Sequence, residues 1–157
     1  MRNRLLLLLL VLATIPVGSA LADCSRRTNV KTEFHQSDLV FLGKVMSAKQ
    51  LSPEPPDGSS LGTSYQLSVV EQFRGEPKHS VLIFSKMDSG RFEMPVGETF
   101  LLFARFNPKT LVGPAYWVYN CGFSGVARVS LKTLTMVRKL NQVQPSEASR
   151  PTTHTPN

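Results

Sequence analysis

Five short segments rich in β-branched, aromatic and other apolar residues constrain the fold of this chain more than any other feature. The segments are Leu39–Met46, Tyr65–Phe73, Ser80–Ser85, Thr99–Ala104 and Tyr116–Cys121. Turn-forming residues such as Gly, Pro and Asp separate them, which is typical of β-strands. Five strands joined by turns predict a mainly β fold, a small closed or nearly closed antiparallel barrel. A two-sheet sandwich is the alternative, although five strands are few for one.

The residue pattern within two of these segments predicts which side chains are buried. Leu39–Leu42 is uniformly apolar, which predicts burial on both faces of the strand, and Gly43 predicts a bulge or a sharp bend. In the second segment apolar residues alternate with polar ones, so we expect that strand to bury one face only. The residues expected on the buried face are Tyr65, Leu67, Val69 and Phe73.

Two further segments have helical patterns. Thr28–Gln36 is predicted to form a short helix with Val30 and Phe34 on one side, because these residues are four apart. Ser130 is predicted to cap a C-terminal helix. The apolar residues that repeat along that helix are Leu131, Leu134, Val137 and Leu140. Residues 107–114, rich in Asn, Pro and Gly, are expected to form a loop between the fourth and fifth strands.

Residues 1–22 have the pattern of a secretion signal. Met1–Arg4 is basic, Leu5–Leu12 is apolar, and Ala20-Leu21-Ala22 supplies small residues at a cleavage site. The apolar run is shorter than the ~20 residues that a membrane span needs. These features predict a cleaved signal peptide and a secreted or periplasmic protein.

Cleavage after the signal would leave one domain. We expect residues 23–141 to form this domain and residues 142–157, which are mostly polar, to form a disordered tail. A lipoprotein anchored through Cys24 is the alternative. Asp23 argues against it, because lipid-modified cysteines normally follow a small residue.

The chain has two cysteines, Cys24 and Cys121. Two cysteines in an exported protein most simply form one disulfide, because the compartment is oxidising. Such a bridge would fix the N-terminus to a late strand. Two free buried thiols are the alternative.

Basic residues dominate the second half of the chain. The whole sequence has 18 Lys and Arg against 11 Asp and Glu. Between Thr99 and Ser146 there are no acidic residues, and the basic ones are Arg105, Lys109, Arg128, Lys132, Arg138 and Lys139. They are candidate anion-binding residues for polysaccharide, lipid headgroups or an acidic protein. The alternative is a solvated basic surface.

The sequence has no motif that indicates catalysis, a metal site or a cofactor. No histidine has a partner at metal-ligating spacing; the histidines are His35, His79 and His154. Gly122–Gly125 is one residue short of a Gly-x-Ser-x-Gly elbow. We therefore expect no enzyme, no catalytic residues, no metal and no cofactor, although groups far apart in sequence would escape such a search.

Aromatic residues lie on most of the predicted strands. Trp117 and Tyr119 are two of them, in the fifth segment. Exposed rings of this kind stack nucleic-acid bases in some β-barrels. Here the alternation of the strands assigns most of the rings to the core, and export removes the usual nucleic-acid partners. We expect no nucleic-acid partner.

Four motifs occur in an order and at a spacing that resemble a known family. Cys24 and a short helix are followed by Ser37–Val45, Gln72–Gly75, Val96–Phe103 and Asn120-Cys121. Together these resemble the small bacterial secreted members of the tissue inhibitor of metalloproteinases and netrin-like superfamily. The resemblance covers nearly all of the expected mature chain.

The resemblance implies a five-stranded Greek-key OB-fold barrel with a short N-terminal helix and a C-terminal helix. It also implies a disulfide from the N-terminal segment to the strand that carries Cys121. In the animal inhibitors the N-terminal cysteine chelates the protease zinc through its amine and carbonyl groups, which take positions that water holds in an open site. By resemblance, this segment and the loop Leu51–Gly62 supply the candidate protease contacts. These are Asp23, Cys24, Ser25, Pro53, Pro55 and Pro56.

The sequence departs from the inhibitors at its expected N-terminus. They begin with Cys-x-Cys, whereas Cys24-Ser25-Arg26 has one cysteine, and Asp23 would block the amine of Cys24. We expect a secreted, non-catalytic protein-binding module that resembles metalloproteinase inhibitors, with a secreted metallopeptidase or another extracytoplasmic protein as partner. The alternative is a basic envelope or matrix module that binds acidic polysaccharide or another anionic polymer.

Overall fold

The computed structural model describes residues 29–52, 60–76 and 78–143. Within these ranges the protein is mainly β, with a six-stranded mixed sheet and two α-helices. The elements are α1 (Val30–Gln36), β1 (Leu39–Leu51), β2 (Gly62–Arg74), β3 (Ser80–Lys86), β4 (Thr99–Thr110), β5 (Gly113–Val118), β6 (Gly125–Val126), a 3₁₀ turn (Ala127–Val129) and α2 (Leu131–Val143). The mainly β class and both helices are confirmed, and β6 was not predicted. The signal segment lies outside the described residues.

Strand pairing runs in the order β1-β2-β3-β5-β4-β6, and β1 also pairs with β4. The first five strands therefore pair in a cycle. All pairs are antiparallel except β3–β5, which is parallel through Ile83 and Tyr116. The prediction of a purely antiparallel arrangement is wrong, because a cycle with an odd number of strands cannot alternate direction throughout.

The sheet separates two hydrophobic clusters. The inner core consists of Leu39, Phe41, Val45, Tyr65, Leu67, Val81, Ile83, Phe92, Met94, Phe100, Leu102, Ala104 and Val118. The outer core lies between the sheet and the helices and consists of Val30, Phe34, Val40, Leu42, Phe73, Leu101, Phe103, Leu134 and Val137. Successive residues of β1 and β4 alternate between the two cores. Burial of both faces of Leu39–Leu42 is therefore confirmed.

Helix α1 is fixed at both of its ends. At the start, the side-chain oxygen of Asn29 accepts the N–H of Thr32 at 2.8 Å, which caps the first turn. At the end, the Ser37 hydroxyl donates to the carbonyl of Glu33 at 2.8 Å, and Nε of Arg74 donates to the Ser37 carbonyl at 2.8 Å. These bonds hold α1 against the end of β2.

Gly43 lies at the bulge that the sequence predicts. The β1–β2 register shifts between Leu42 and Gly43. A Cβ at this position would lie 2.5 Å from Cε2 of Phe41 and 3.0 Å from Cδ2 of Leu67. The inner core therefore leaves no room for a side chain there.

The predicted face of Phe73 is wrong. The other three residues predicted on that face contact the inner core, whereas Phe73 belongs to the outer core. The register shifts by one residue at this point, since the neighbours Val40 and Phe41 pair with Arg74 and Gln72. Phe73 is the extra residue of one β-bulge, but an earlier shift sets its face. Leu42 and Gly43 pair with Glu71 and Val69, so Val70 is also an extra residue, and the alternation of faces is inverted from Glu71 onward.

The loop predicted over residues 107–114 is also wrong. β4 continues to Thr110 and β5 begins at Gly113, so the two strands form a tight hairpin. The chain tolerates Pro108 within β4 because the register shifts between Asn107 and Thr110, and a proline is accepted at such an irregularity. The fifth strand ends at Val118 rather than at the predicted Cys121.

Candidate functional site

Two clefts meet at Trp117 and Tyr119. The helix cleft, of about 760 Å³, is lined by Thr32, Glu33, Gln36, Ser37, Phe103, Arg105, Trp117 and Tyr119. The strand cleft, of about 750 Å³, lies between the end of β3 and the β4–β5 hairpin. Its lining includes Ser85, Lys86, Asp88, Asn107, Lys109, Trp117 and Tyr119. The two aromatic residues therefore form the ridge between the clefts.

The end of β5 exposes these aromatic rings. Ala115 and Val118 are buried, whereas Trp117 is half-buried and Tyr119 is 50% exposed. Trp117 and Tyr119 are two residues apart, and Trp117 lies opposite Arg105 in the β4–β5 pairing. The alternation of the strands predicts most of the strand aromatics in the core. Tyr119 is not one of these, because β5 ends at Val118, before this residue.

The strand cleft lies beside the base of the β1–β2 loop. Gly62, the first residue of β2, pairs with Lys86 at the end of β3. The N–H of Met87 donates to the carbonyl of Leu61 at 3.2 Å, and the N–H of Leu61 donates to the carbonyl of Leu51 at 2.8 Å. The loop therefore begins and ends next to Lys86, which lines the cleft.

Cys121 lies close in sequence to Tyr119, which lines the same cleft. It follows Tyr119 by two residues, in a turn where the N–H of Gly122 donates to the Tyr119 carbonyl at 3.1 Å. Cys121 is not a free thiol, and no cysteine in the described ranges is. Its predicted partner, Cys24, lies outside the described residues. The disulfide between them stays a prediction.

A buried carboxylate joins α1 to the segment that follows Cys121. Glu33 is 8% exposed, and its Oε2 accepts the N–H of Phe123 at 3.0 Å. Burial raises the pKa of Glu33, while the Phe123 hydrogen bond and the positive charge of Arg105 act in the opposite direction. A Cβ on Gly122 would overlap Oε1 of Glu33. Glycine at 122 therefore allows the carboxylate to reach the backbone.

Glu33 is not among the candidate residues predicted from the sequence. The signal was present, because Glu33 lies between Val30 and Phe34 at helical spacing and so shares their buried side. An acidic residue on an apolar helix face indicates a buried partner. The partner, the N–H of Phe123, is 90 residues away in sequence and cannot be read from the pattern.

The six candidate protease contacts lie outside the described residues. They are Asp23, Cys24, Ser25, Pro53, Pro55 and Pro56. The structure describes the residues to which these segments connect, namely Asn29 before α1 and the two ends of the β1–β2 loop. Their role in binding stays a prediction.

Two of the candidate anion-binding residues lie at the clefts. Arg105 lines the helix cleft, where its Nη2 donates to Oε1 of Gln36 at 3.2 Å. Lys109 lines the strand cleft. Both residues are on β4 and are exposed.

The other four candidate anion-binding residues lie in the 3₁₀ turn and α2. Arg128 pairs with Glu98 at 3.6 Å, and Arg138 pairs with Glu71 at 2.6 Å. Both acidic partners come from outside the stretch of sequence that lacks acidic residues. Lys132 and Lys139 are exposed on α2. The six residues therefore occupy two regions, and two of their charges are compensated.

Within residues 29–52, 60–76 and 78–143, no three His, Cys, Asp or Glu side chains come together as a metal site would require. No helix in these ranges has the length and apolar character needed to cross a membrane. Comparison with protein-family models and with curated proteins finds no match for this chain.

Proposed function

We propose that this protein is a secreted, non-catalytic protein-binding module built on a five-stranded Greek-key OB-fold barrel of the netrin-like type. The observation that carries the proposal is the cycle of strand pairs in which β4 inserts between β1 and β5. Five strands in a cycle with two non-sequential pairs, β1–β4 and β3–β5, are what a Greek-key barrel of this class needs. Helix α1 before the first strand and α2 after the last agree with the same class.

The partner of this module is a secreted metallopeptidase. Support comes from the strand cleft, because Lys86, beside the base of the β1–β2 loop, and Tyr119, which leads to Cys121, both line it. A bridge from Cys24 to Cys121 would bring the mature N-terminus to that same end of the sheet. An N-terminal wedge and a flanking loop would then approach a partner together.

Glu33 would help to hold this arrangement. Its hydrogen bond to the N–H of Phe123 fixes the residues that follow Cys121 against α1. A wedge that is held before binding loses less conformational freedom when it meets its partner, which favours affinity.

Titration of secreted metallopeptidases tests the proposal. Two forms of the mature protein should be compared, one beginning at Asp23 and one beginning at Cys24. If the N-terminal amine chelates zinc, the form that begins at Cys24 should inhibit more strongly, because Asp23 no longer covers its amine. Cys121→Ser should weaken inhibition in both forms. Unchanged peptidase activity with either form across a broad panel of enzymes would exclude metallopeptidase inhibition.

Intact mass spectrometry of the exported protein tests the underlying assumptions separately. The expected result is a chain that begins at Asp23 and gains the mass of two hydrogen atoms on reduction. A chain that keeps residues 1–22, carries a lipid, or shows no mass change with reductant would remove the N-terminal wedge from consideration. A circular dichroism spectrum before and after reduction controls for loss of the fold.

A further inference from the structure

The strand cleft combines aromatic surface with positive charge. Trp117 and Tyr119 supply the aromatic rings, and Lys86 and Lys109 add ammonium groups from β3 and β4. Both lysines are exposed. Neither forms an ion pair with any residue of the described ranges. Their charges are therefore available to a ligand.

The acidic residue in the cleft does not cancel this charge. Asp88 lines the cleft with the two lysines, so the cleft keeps a net positive charge. Oδ1 of Asp88 accepts the N–H of Gly90 at 2.9 Å, a bond that closes the local turn. The Asp88 carboxylate therefore stabilises the turn at Gly90.

A polar side chain beside the aromatic wall is held in a fixed orientation. Oδ1 of Asn107 accepts the N–H of Lys109 at 2.9 Å. That bond points the amide oxygen at the backbone and leaves the NH₂ group for an outside acceptor. The cleft thus offers flat apolar rings, two cations and a neutral donor within about 750 Å³, a volume typical of ligand sites.

We propose that the strand cleft binds an acidic polysaccharide of the uronate type. The C–H face of a sugar ring packs on an aromatic ring, and its hydroxyl groups bond to donors at the ring edge. Trp117 and Tyr119 supply the rings, and Lys86 and Lys109 pair with the carboxylates. This activity goes beyond the proposed protein binding and is tested without any peptidase.

Other anionic polymers fit the cleft less well. An acidic peptide supplies carboxylates but has no flat apolar face for the two rings. Single-stranded nucleic acid supplies both features, but the predicted export separates it from this protein. Both polymers are titrated separately in the test for comparison.

Trp117 provides the signal for the test, because the chain has one tryptophan and it lies in the cleft. Its fluorescence is followed while oligogalacturonate is added to the mature protein. The expected result is a saturable change that weakens at high salt, since the charged contacts are exposed to solvent. Neutral oligosaccharide, polyglutamate and single-stranded DNA are titrated in parallel and should bind more weakly.

Two lysine pairs give a matched comparison. The double variant Lys86→Gln/Lys109→Gln should bind oligogalacturonate about tenfold more weakly, the effect of losing two exposed charge contacts. Lys44→Gln/Lys49→Gln removes the same charge from β1, away from the cleft, and should bind as the wild type does. All four lysines are exposed, so neither variant should change the urea midpoint.

Several results would overturn the inference. One is no saturable fluorescence change with oligogalacturonate. A second is equal binding of the neutral oligosaccharide, and a third is tighter binding of polyglutamate or DNA. Equal losses in the two lysine pairs would also count against it, because they would indicate attraction to net charge rather than a site.

Discussion

Replacing Gly122 with alanine is expected to break the contact between α1 and the segment after Cys121. The added Cβ would overlap Oε1 of Glu33. Gly122 does not have a left-handed φ, so alanine fits the backbone and the overlap is the only new feature. Oε1 has to move away from the new Cβ, and because Oε2 of the same carboxylate accepts the N–H of Phe123, we expect that hydrogen bond to break.

The cost follows from the groups that lose their partners. A hydrogen bond to a charged group contributes about 1.5–3 kcal/mol, and a buried N–H without an acceptor costs about 1–3 kcal/mol. Both energies describe the loss of the same hydrogen bond, one from its acceptor and one from its donor, so they are not added. We expect Gly122→Ala to lower the free energy of unfolding by about 2–3 kcal/mol. That is a large share of the roughly 5–15 kcal/mol typical of a small domain.

Urea unfolding of the oxidised protein, followed by Trp117 fluorescence at neutral pH, measures this cost. With a slope of about 1–3 kcal/mol per molar urea, the midpoint should fall by roughly 0.7–3 M. The same substitution is then made in a Glu33→Ala background. The carboxylate is absent there, so the added methyl group should cost less than about 1 kcal/mol. The expected coupling is therefore about 1.5–2 kcal/mol.

Gly97→Ala is the matched control. Gly97 has φ of 89°, and a Cβ there would meet no atom within 4 Å. Alanine at 97 should cost about 1–2 kcal/mol from backbone strain alone. This cost should be the same with and without Glu33→Ala. The cost of Gly122→Ala, in contrast, should depend on whether Glu33 is present. If it is the same with and without Glu33→Ala, the contact between Gly122 and Glu33 does not explain the role of this glycine.

Three further predictions concern other contacts. Burial raises the pKa of Glu33 above its unfolded value, so the folded state binds more protons and stability falls as pH rises through that raised pKa. The free energy of unfolding of Glu33→Gln, relative to wild type, should therefore be higher at pH 7 than at pH 4 when measured by urea unfolding. An equal difference at both pH values would contradict this. Gly43→Ala should lower the free energy of unfolding by about 1–3 kcal/mol, because its Cβ meets the Phe41 ring. Thermal unfolding should show a lower Tm, and an unchanged Tm would show that the ring can move away. Arg138→Ala removes an exposed ion pair with Glu71 and should leave the urea midpoint unchanged in high salt; a large loss there would mean that Arg138 acts through packing.

Local patterns in the sequence were sufficient to predict the helices and the five main strands. Val30 and Phe34 are buried on one side of α1, as their spacing indicates. The uniform run Leu39–Leu42 is buried on both faces, and Gly43 marks a bulge. These features depend on neighbours within a few residues, which is why sequence reasoning identified them.

The residues of the candidate site could be predicted only in part from the sequence. Arg105 and Lys109 were identified by their charge, but their position beside Trp117 and Tyr119 depends on the β4–β5 hairpin. Lys86 was not identified, because nothing near it in the sequence marks it as a cleft residue. It reaches the site through the pairing of β3 with β5.

The sequence by itself determined the mainly β class, the order of the strands along the chain and the helix at each end, because alternation and helical spacing are local properties. Only the tertiary structure decided how the strands pair. The parallel β3–β5 pair follows from closing a cycle of five strands, and the face of Phe73 follows from a shift in register. The bond from Glu33 to Phe123 joins residues 90 positions apart. Each of these depends on which distant segments meet, and no local pattern encodes that choice.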